Sequence, residues 1–390
     1  MNAEKGTRNT VHASPSFLKT LLLALPMMVL TFVFLSGGKP PADPVRIVAL
    51  TVTFVFFNLL FVLMLRTGRT DRYRAVLFTT YAVAFVISFL SFLIEERGSM
   101  ALSEAAMIQG ETPFCHIVIP MTLIPAALTR TIIFPGTIIG AAHSVAGMFV
   151  LWIGASLALG RGFCSWACFF GGLEDGFSRL LRKPVIRKIN PKWSYLPYGV
   201  LLAVVLTSAI ALSPTYCFWL CPFKTVTEYV EVTSVKILLQ TVLFLSLFVG
   251  LVIVLPLLTK RRTQCSFLCP FGAFQSFTNK ANIFDIRVDR DRCTRCGRCV
   301  KTCPTFSIDE GSLGRGGTRM GCTKCGKCVD ACPAGAISYR VKGTPSPGNG
   351  TVHRLLFLYP AFLFLTTMAG GNLKDAIARL IGFITTGSFA

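Results

Sequence analysis

The chain has 390 residues, of which 53% are hydrophobic and only 15% are charged. This composition excludes an ordinary soluble protein and indicates several transmembrane helices. The formal net charge of +21 would suggest a nucleic-acid-binding protein. Most Lys and Arg residues stand in short loops beside apolar stretches, however, and membrane topology accounts for such a distribution. We therefore expect no nucleic-acid partner.

Apolar stretches of about 20 residues, the length that crosses a bilayer core, predict about seven transmembrane helices. They lie at 17–36, 45–65, 75–94, 141–160, 195–212, 235–258 and 352–370. The segment that precedes the fourth stretch, from 117 to 140, is interrupted by prolines and is expected to be re-entrant or interfacial.

Basic loops predict how these helices are oriented. The loops 66–74 and 179–192 and the residues 260–262 are rich in Lys and Arg, which places them in the cytoplasm. The N-terminus and the segment 280–345 then also lie in the cytoplasm, and the acidic segment 95–116 lies outside. We expect a multi-pass protein of the cytoplasmic (inner) membrane.

Two cysteine runs, CTRCGRCVKTCP and CTKCGKCVDACP, begin at Cys293 and Cys322. Each has the spacing C-x2-C-x2-C-x3-C-P of bacterial ferredoxins, in which the fourth Cys of each run binds the other cluster. A structural zinc site would not need this pattern twice. We predict two 4Fe–4S clusters, the first held by Cys293, Cys296, Cys299 and Cys332, the second by Cys322, Cys325, Cys328 and Cys303.

The apolar stretches and the cysteine runs together predict four parts of the chain. A cytoplasmic N-terminal tail (1–16) precedes a membrane domain (17–279), a dicluster ferredoxin domain (280–345), and a final transmembrane helix with a C-terminal tail (346–390). The predicted fold is an all-α polytopic membrane protein into which an α+β dicluster ferredoxin-like domain is inserted.

Six further cysteines form three C-x3-C pairs, Cys164/Cys168, Cys217/Cys221 and Cys265/Cys269. The first and third pairs follow helices that are predicted to end at the cytoplasmic face. We therefore expect Cys164, Cys168, Cys265 and Cys269 to hold a third 4Fe–4S cluster beneath the ferredoxin domain. The alternative is that they are buried structural thiols.

The middle pair is expected on the outer side, together with Cys115. Cys217, Cys221 and Cys115 could hold a fourth iron–sulfur centre with one more ligand, for which His116 is a candidate because His replaces Cys in Rieske centres. A disulfide, or a site completed by another subunit, remains open. His143 and Arg130 are candidates for quinone binding or proton transfer, with an interfacial position as the alternative for Arg130.

These motifs resemble those of the membrane polyferredoxins of the NapH, NosR, MauN and CcoG types. The resemblance is carried by RGFCSWAC and QCSFLCPFGAF after apolar stretches and by the ferredoxin runs. Phe169 departs from the pattern by replacing the Pro expected after Cys168, and the middle cysteine pair is additional. The resemblance implies a membrane electron-transfer subunit that works with quinol and other redox subunits.

The sequence thus predicts an iron–sulfur subunit of an oxidoreductase complex. It would relay electrons between a cytoplasmic ferredoxin-type partner and a quinone or an extracytoplasmic acceptor. The alternatives are a NapH-like quinol dehydrogenase subunit and a CcoG-like factor for metal reduction or assembly. The expected partners are other redox subunits, membrane lipids and quinone. The sequence contains no dinucleotide fingerprint and no P-loop, so nucleotide chemistry is expected on a partner.

Overall fold

The computed structural model describes residues 16–39, 41–95, 115–130, 145–227, 232–344 and 350–387, with the backbone alone over 89–95. Within these ranges, five helices are long and apolar enough to cross a membrane. They are Phe17–Ser36, Pro44–Thr67, Pro191–Ala211, Val235–Thr259 and Gly350–Thr386. The number is six if Val145–Ala158 and Gly160–Trp166, which meet at 105°, form one span. The mostly helical membrane architecture is confirmed, and the total of seven spans remains a prediction.

In the described part of the chain, the regular elements are helices and one two-stranded sheet. The helices are α1 (Phe17–Ser36), α2 (Pro44–Thr67), α3 (Thr70–Glu95), α4 (Ile119–Thr129), α5 (Val145–Ala158), α6 (Phe163–Trp166), α7 (Phe169–Leu180), α8 (Leu196–Ala211), α9 (Thr215–Trp219), α10 (Lys224–Thr227), α11 (Val235–Leu247), α12 (Leu255–Thr259), α13 (Thr263–Phe267), α14 (Pro270–Ala281), α15 (Arg298–Thr302), α16 (Glu310–Gly314), α17 (Lys327–Ala331) and α18 (Gly350–Thr386). The strands are β1 (Phe284–Val288) and β2 (Ile337–Val341), and a π-helical stretch, Phe248–Val254, joins α11 to α12.

The helices α1, α2, α3 and α18 pack together as a bundle. Their boundaries follow local signals, since the Asp43 side chain caps α2 by accepting from the Arg46 N–H, and Gly68 ends α2 in the left-handed conformation. Phe61 and Phe362 lie in the core of the bundle with ring centroids 4.6 Å apart. The predicted span 75–94 lies within α3.

The final helix α18 is longer than the span predicted at 352–370. It runs unbroken for 37 residues through Pro360 and through most of the predicted C-terminal tail. Its first half also supports the ferredoxin module, because the Phe357 ring stacks on Tyr339 at 4.7 Å and lies 5.5 Å from the Phe284 ring. The antiparallel pair β1–β2, with Phe284 opposite Val341, brings together the chain segments on either side of the two cysteine runs.

The C-x3-C spacing occurs in the first and third membrane pairs and also at the end of each ferredoxin run. In these four places the second cysteine adopts the same extended conformation after a short helix. Its φ and ψ are −81° and 109° at Cys168, −73° and 112° at Cys269, −62° and 117° at Cys303, and −78° and 112° at Cys332. A following Pro favours this conformation at three of them. Cys168 adopts it before Phe169, so packing in the tertiary structure suffices there.

Gly172 allows α7 to approach α3 closely. A Cβ atom at this position would lie 2.6 Å from the Phe78 carbonyl oxygen and 2.7 Å from the Ala82 Cβ. We expect Gly172→Ala to lower the free energy of unfolding by about 1–3 kcal/mol, because two backbones would have to separate. Unfolding of the purified protein in detergent measures this change.

The control is Gly199→Ala, on the exposed side of α8, where an added Cβ meets no atom within 4 Å. This change should leave stability unaltered or raise it by about 0.5–1 kcal/mol, since Ala is the better helix former. Equal stability of the two variants would contradict the proposed role of Gly172.

Candidate iron–sulfur sites

The four predicted ligands of the first cluster line a single small cavity. Cys293, Cys296, Cys299 and Cys332 surround it together with Leu313 and Ile337. Cys296 is exposed and Cys299 is buried, so one edge of the site faces solvent. The backbone N–H of Ala336 donates to the Cys332 Sγ at 3.3 Å. Such N–H···S bonds are among the interactions that set the potential of an iron–sulfur cluster.

The second predicted ligand set, Cys303, Cys322, Cys325 and Cys328, lies deeper. Burial raises the pKa of the Cys328 thiol well above its ordinary value, and the neighbouring thiols of Cys325, Cys322 and Cys303 raise it further. These three thiols therefore lie near Cys328, and so does Cys299 of the first set, which also raises this pKa. The backbone N–H of Ser307 donates to the Cys303 Sγ at 3.2 Å.

The structure also brings the first and third C-x3-C pairs together. Burial raises the pKa of Cys265 well above its ordinary value, with further contributions from Glu174 and from the thiols of Cys269, Cys164 and Cys168. The Glu174 carboxylate accepts hydrogen bonds from the backbone N–H groups of Gln264 and Cys265. It thereby holds the loop that carries the third pair.

The sulfur donors of these sets fit a 4Fe–4S cluster. In the ranges that the structure describes, no group of three or more His, Cys, Asp or Glu side chains is arranged to hold one metal ion. A 4Fe–4S cluster makes a different demand, because its four thiolates bind four different irons. Soft sulfur ligands with backbone N–H donors beside them match that demand.

The cysteines predicted to form a fourth centre are also neighbours. Burial and then the Cys115 thiol raise the pKa of Cys221 to about 12. Burial raises the pKa of the Tyr216 hydroxyl well above its ordinary value, and the thiols of Cys221 and Cys217 raise it further. The Cys269 thiol of the third set has the same effect on this pKa. Tyr216 therefore lies between the two groups, and its hydroxyl accepts from Gln264 Nε2 at 2.8 Å.

His116 lies against the third set. Its Nε2 is 3.0 Å from the Cys168 Sγ, and the rings of Phe163, Phe169, Phe170 and Phe271 surround it. The loop charges predicted that His116 and the third set of thiols lie at opposite faces of the membrane. They are adjacent because α4, which follows His116, packs against α8 and α14.

Of the two residues predicted to bind quinone or to transfer protons, the structure describes only Arg130, which does not lie among these thiols. Arg130 is exposed at the end of α4, where it caps the helix with φ of 55° and its backbone N–H donates to the Ala126 carbonyl. His143 lies outside the described residues. Both assignments remain predictions.

Sequence reasoning missed a buried charge network centred on Asp175. This carboxylate is fully buried and pairs with Arg74 and Arg262, both at 2.9 Å, and with Arg179 at 3.1 Å. Arg179 also contacts Asp71 at 2.7 Å. Removing charges from water is costly unless they are paired, so every member depends on the others.

The network joins the ferredoxin module to the third set of thiols. Arg74 donates to the Cys325 carbonyl at 3.1 Å and to the Ser165 carbonyl at 2.9 Å. Arg262 donates to the Cys164 carbonyl at 3.0 Å. A signal was present in the sequence for Asp175 and Arg262, because charged residues near a cysteine pair in an apolar segment require partners. Arg74 lies far from every cysteine in the sequence, so nothing local indicated its role.

Comparison with known protein families agrees with these sites. A 4Fe–4S dicluster domain matches residues 285–333, and a 4Fe–4S binding domain matches three times, at 141–188, 193–239 and 241–289. Each of the three matches contains one C-x3-C pair. The pairs therefore belong to three copies of one unit, a repeat that the sequence analysis did not recognise.

Several curated proteins are similar to this chain. MauN from Paracoccus denitrificans, a methylamine utilization ferredoxin-type protein, is 30% identical over 218 residues, which are 53% of this chain and 66% of MauN. YccM from Escherichia coli is 29% identical over 40% of this chain and 45% of YccM. The regulatory protein NosR from Pseudomonas aeruginosa is 30% identical over 41% of this chain and 23% of NosR. The chain thus spans less than two thirds of each relative, and no solved structure matches it.

The cysteine sets, the apolar helices and the family matches define an iron–sulfur electron-transfer protein of the membrane. More particularly, the similarity to MauN and NosR confirms that the chain is of the membrane polyferredoxin type.

Proposed function

We propose that the protein is the electron-relay subunit of a membrane redox complex. Electrons would pass between the two clusters of the ferredoxin module and a third 4Fe–4S cluster held by Cys164, Cys168, Cys265 and Cys269. The observation that carries this proposal is the double contact of Arg74, which donates to carbonyl groups of the second-cluster loop and of the third-cluster loop. A fixed separation between successive clusters is what a relay requires.

The exposed edge of the first cluster supports its role as the point of exchange with a soluble partner. Cys296 is exposed, and so are its neighbours Arg295 and Arg298. Basic residues around a redox centre accelerate encounter with an acidic protein. The basic loops between the helices favour a cytoplasmic position for this module, so the partner would be a cytoplasmic ferredoxin-type protein.

At the other end of the relay, Cys115, Cys217 and Cys221 would hold a fourth centre next to the third. His116 remains a candidate ligand, although its Nε2 faces Cys168. The acceptor would be a quinone or an extracytoplasmic redox subunit. A NapH-like quinol dehydrogenase would use the same clusters with quinol as the electron donor.

Burial of the third set favours a relay over a factor that hands over metal. Cys164, Cys168 and Cys265 are buried and Cys269 is half-buried, whereas transfer of a metal ion requires accessible thiols. The buried carboxylate of Glu174 and the buried Arg262 hold the two loops in place. Such a site favours a resident cluster.

The content of iron and acid-labile sulfide per chain tests the proposal. Anaerobically purified protein should contain about twelve irons if three clusters are present and about sixteen if the fourth centre is also a 4Fe–4S cluster. Stopped-flow absorbance should then show reduction of all clusters by a reduced acidic ferredoxin, with a rate that falls as salt is added. About eight irons in protein with full ferredoxin spectra would contradict the third cluster.

The hydrogen bond of His116 leads to a prediction about potential. With the proton on Nε2, His116 donates to the Cys168 Sγ and stabilises the more negative, reduced form of the third cluster. We expect His116→Phe to lower the reduction potential of that cluster by an amount on the order of tens of millivolts. Redox titration followed by electron paramagnetic resonance measures this shift.

The control is His116→Gln, whose side-chain amide retains an N–H donor and should restore part of the potential. The ferredoxin clusters serve as an internal reference in each variant. An unchanged potential in the Phe variant would show that the contact with Cys168 has no electrostatic role.

A further inference from the structure

A cavity of about 540 Å³ lies where the ferredoxin module meets the start of the candidate span Pro191–Ala211. We refer to it as the arginine cavity. Arg161, Arg315 and Arg319 line it, as do Tyr195, Tyr198 and Phe277. Its volume is in the range of small-molecule sites.

The lining carries positive charge with no carboxylate among its residues. Arg315 is exposed and Arg319 is half-buried. The nearest acidic partner of Arg319 is Asp309, outside the lining, at 3.3 Å. Three guanidinium groups around one cavity indicate an anionic ligand, because Arg offers several N–H donors to phosphate or carboxylate oxygens.

Two buried donors of the cavity lining have no hydrogen-bond partner. Arg161 is 4% exposed and Ser266 is 2% exposed, and both the Arg161 Nε and the Ser266 Oγ lack a partner. The other nitrogens of Arg161 are occupied, since they donate to the Ser276 Oγ and to the Cys265 carbonyl. Buried donors are usually satisfied, and a ligand with acceptor oxygens would satisfy these two.

The rim of the cavity indicates where such a ligand comes from. Tyr195 is 58% exposed and Phe277 is 48% exposed, and the rings of Tyr198 and Phe277 are 5.8 Å apart. Aromatic residues at the start of a membrane span are typical of the headgroup region of a bilayer. The guanidinium group of Arg319 stacks on the Tyr195 ring, with the Arg319 Cζ 5.3 Å from the ring centroid. A ligand that is phosphate at one end and apolar at the other fits this arrangement.

We propose that the arginine cavity binds the phosphate group of an anionic phospholipid from the leaflet that faces the ferredoxin module. The phosphate oxygens accept from Arg161, Ser266, Arg315 and Arg319, and the acyl chains extend past Tyr198 and Phe277 into the bilayer. The bound lipid holds the loop after Cys265 against the segment 303–307, so it joins the membrane domain to the module. This site does not depend on any electron-transfer step.

The test measures retention of phosphatidylglycerol by the full chain in detergent, using native mass spectrometry. The unmodified protein should retain this lipid, and the double variant Arg315→Gln/Arg319→Gln should bind it about 25-fold more weakly, since each of the two surface cations contributes about a factor of five. The matched control is Arg187→Gln/Lys188→Gln, which removes the same charge from an exposed basic loop. Ser266→Ala, which changes no charge, should also weaken retention.

Three outcomes would overturn the proposal. Equal retention by the unmodified protein, the cavity variants and the loop control would show that the lipid binds without the cavity. Equal loss in the cavity and loop variants would show a general effect of charge. Complete displacement of the lipid by millimolar inorganic phosphate would assign the cavity to a soluble phosphate compound. Iron content of each variant verifies that the fold is retained.

Discussion

Replacement of Asp175 by Asn is expected to lower the free energy of unfolding by about 3–5 kcal/mol. The carboxylate pairs with Arg74 and Arg262, whose side chains are fully buried, and an amide cannot neutralise two buried cations. The loops of the second and third clusters should loosen together, because both arginines also bind carbonyl groups in those loops. Denaturant unfolding in detergent measures the loss of stability, and iron content reports the loss of clusters.

The control for this variant is Arg287→Gln. Arg287 pairs with Asp285 at the surface and is 48% exposed, so its removal should change stability by about 0–1 kcal/mol. If the two variants are equally stable, the network around Asp175 does not contribute as expected.

The pH dependence of this effect has a definite sign. Burial alone would raise the pKa of Asp175, but Arg262, Arg74 and Arg179 outweigh burial and hold the pKa well below its ordinary value. A carboxyl group with a lowered pKa in the folded state stabilises the protein above its unfolded pKa, and this contribution is lost as the pH falls through the folded value. The difference between the unmodified protein and Asp175→Asn should therefore be constant at neutral pH and shrink only in strong acid.

Replacement of Cys265 by Ser is expected to remove about four irons per chain while the ferredoxin clusters are retained. Cys265 lies among the thiols of Cys164, Cys168 and Cys269, and the hydroxyl of Ser is a much poorer iron ligand than a thiolate. Iron and sulfide analysis, together with electron paramagnetic resonance of the reduced protein, measures the loss.

The comparison variant is Cys221→Ser, which alters the neighbouring group of Cys115, Cys217 and Cys221. If that group holds a fourth centre, this variant should lose iron of its own and keep the signal of the third cluster. An iron content unchanged by Cys265→Ser would contradict the third cluster, and one unchanged by Cys221→Ser would contradict the fourth.

The predictable part of this protein is local in sequence. Six predicted spans coincide with helices in the described part of the chain, because a stretch of about 20 apolar residues can satisfy its backbone within a bilayer only as a helix. The ferredoxin runs were equally readable, since ligand spacing and a following Pro shape each loop by themselves. The family matches to 285–333 and to three copies of a 4Fe–4S binding domain confirm the iron–sulfur chemistry.

The position of His116 shows where local reasoning ended. Its neighbour Cys115 and the charges of the loops suggested an outer site. The His116 Nε2 nevertheless lies 3.0 Å from the Cys168 Sγ. Loop charges report which side of the membrane a segment faces, but they do not report how deeply a short broken helix returns into the protein. The packing of α4 against α8 and α14 determines that depth.

By itself, then, the sequence determined that this protein has membrane helices, iron–sulfur ligands and an electron-transfer role, because these depend on the kind of residue and its spacing. Only the tertiary structure decided which charges meet. Arg74, Asp175 and Arg262 are far apart in the chain, and each needs a partner once it is buried. Which partner it finds depends on helix packing, and that packing joins the ferredoxin module to the cysteine pairs of the membrane domain.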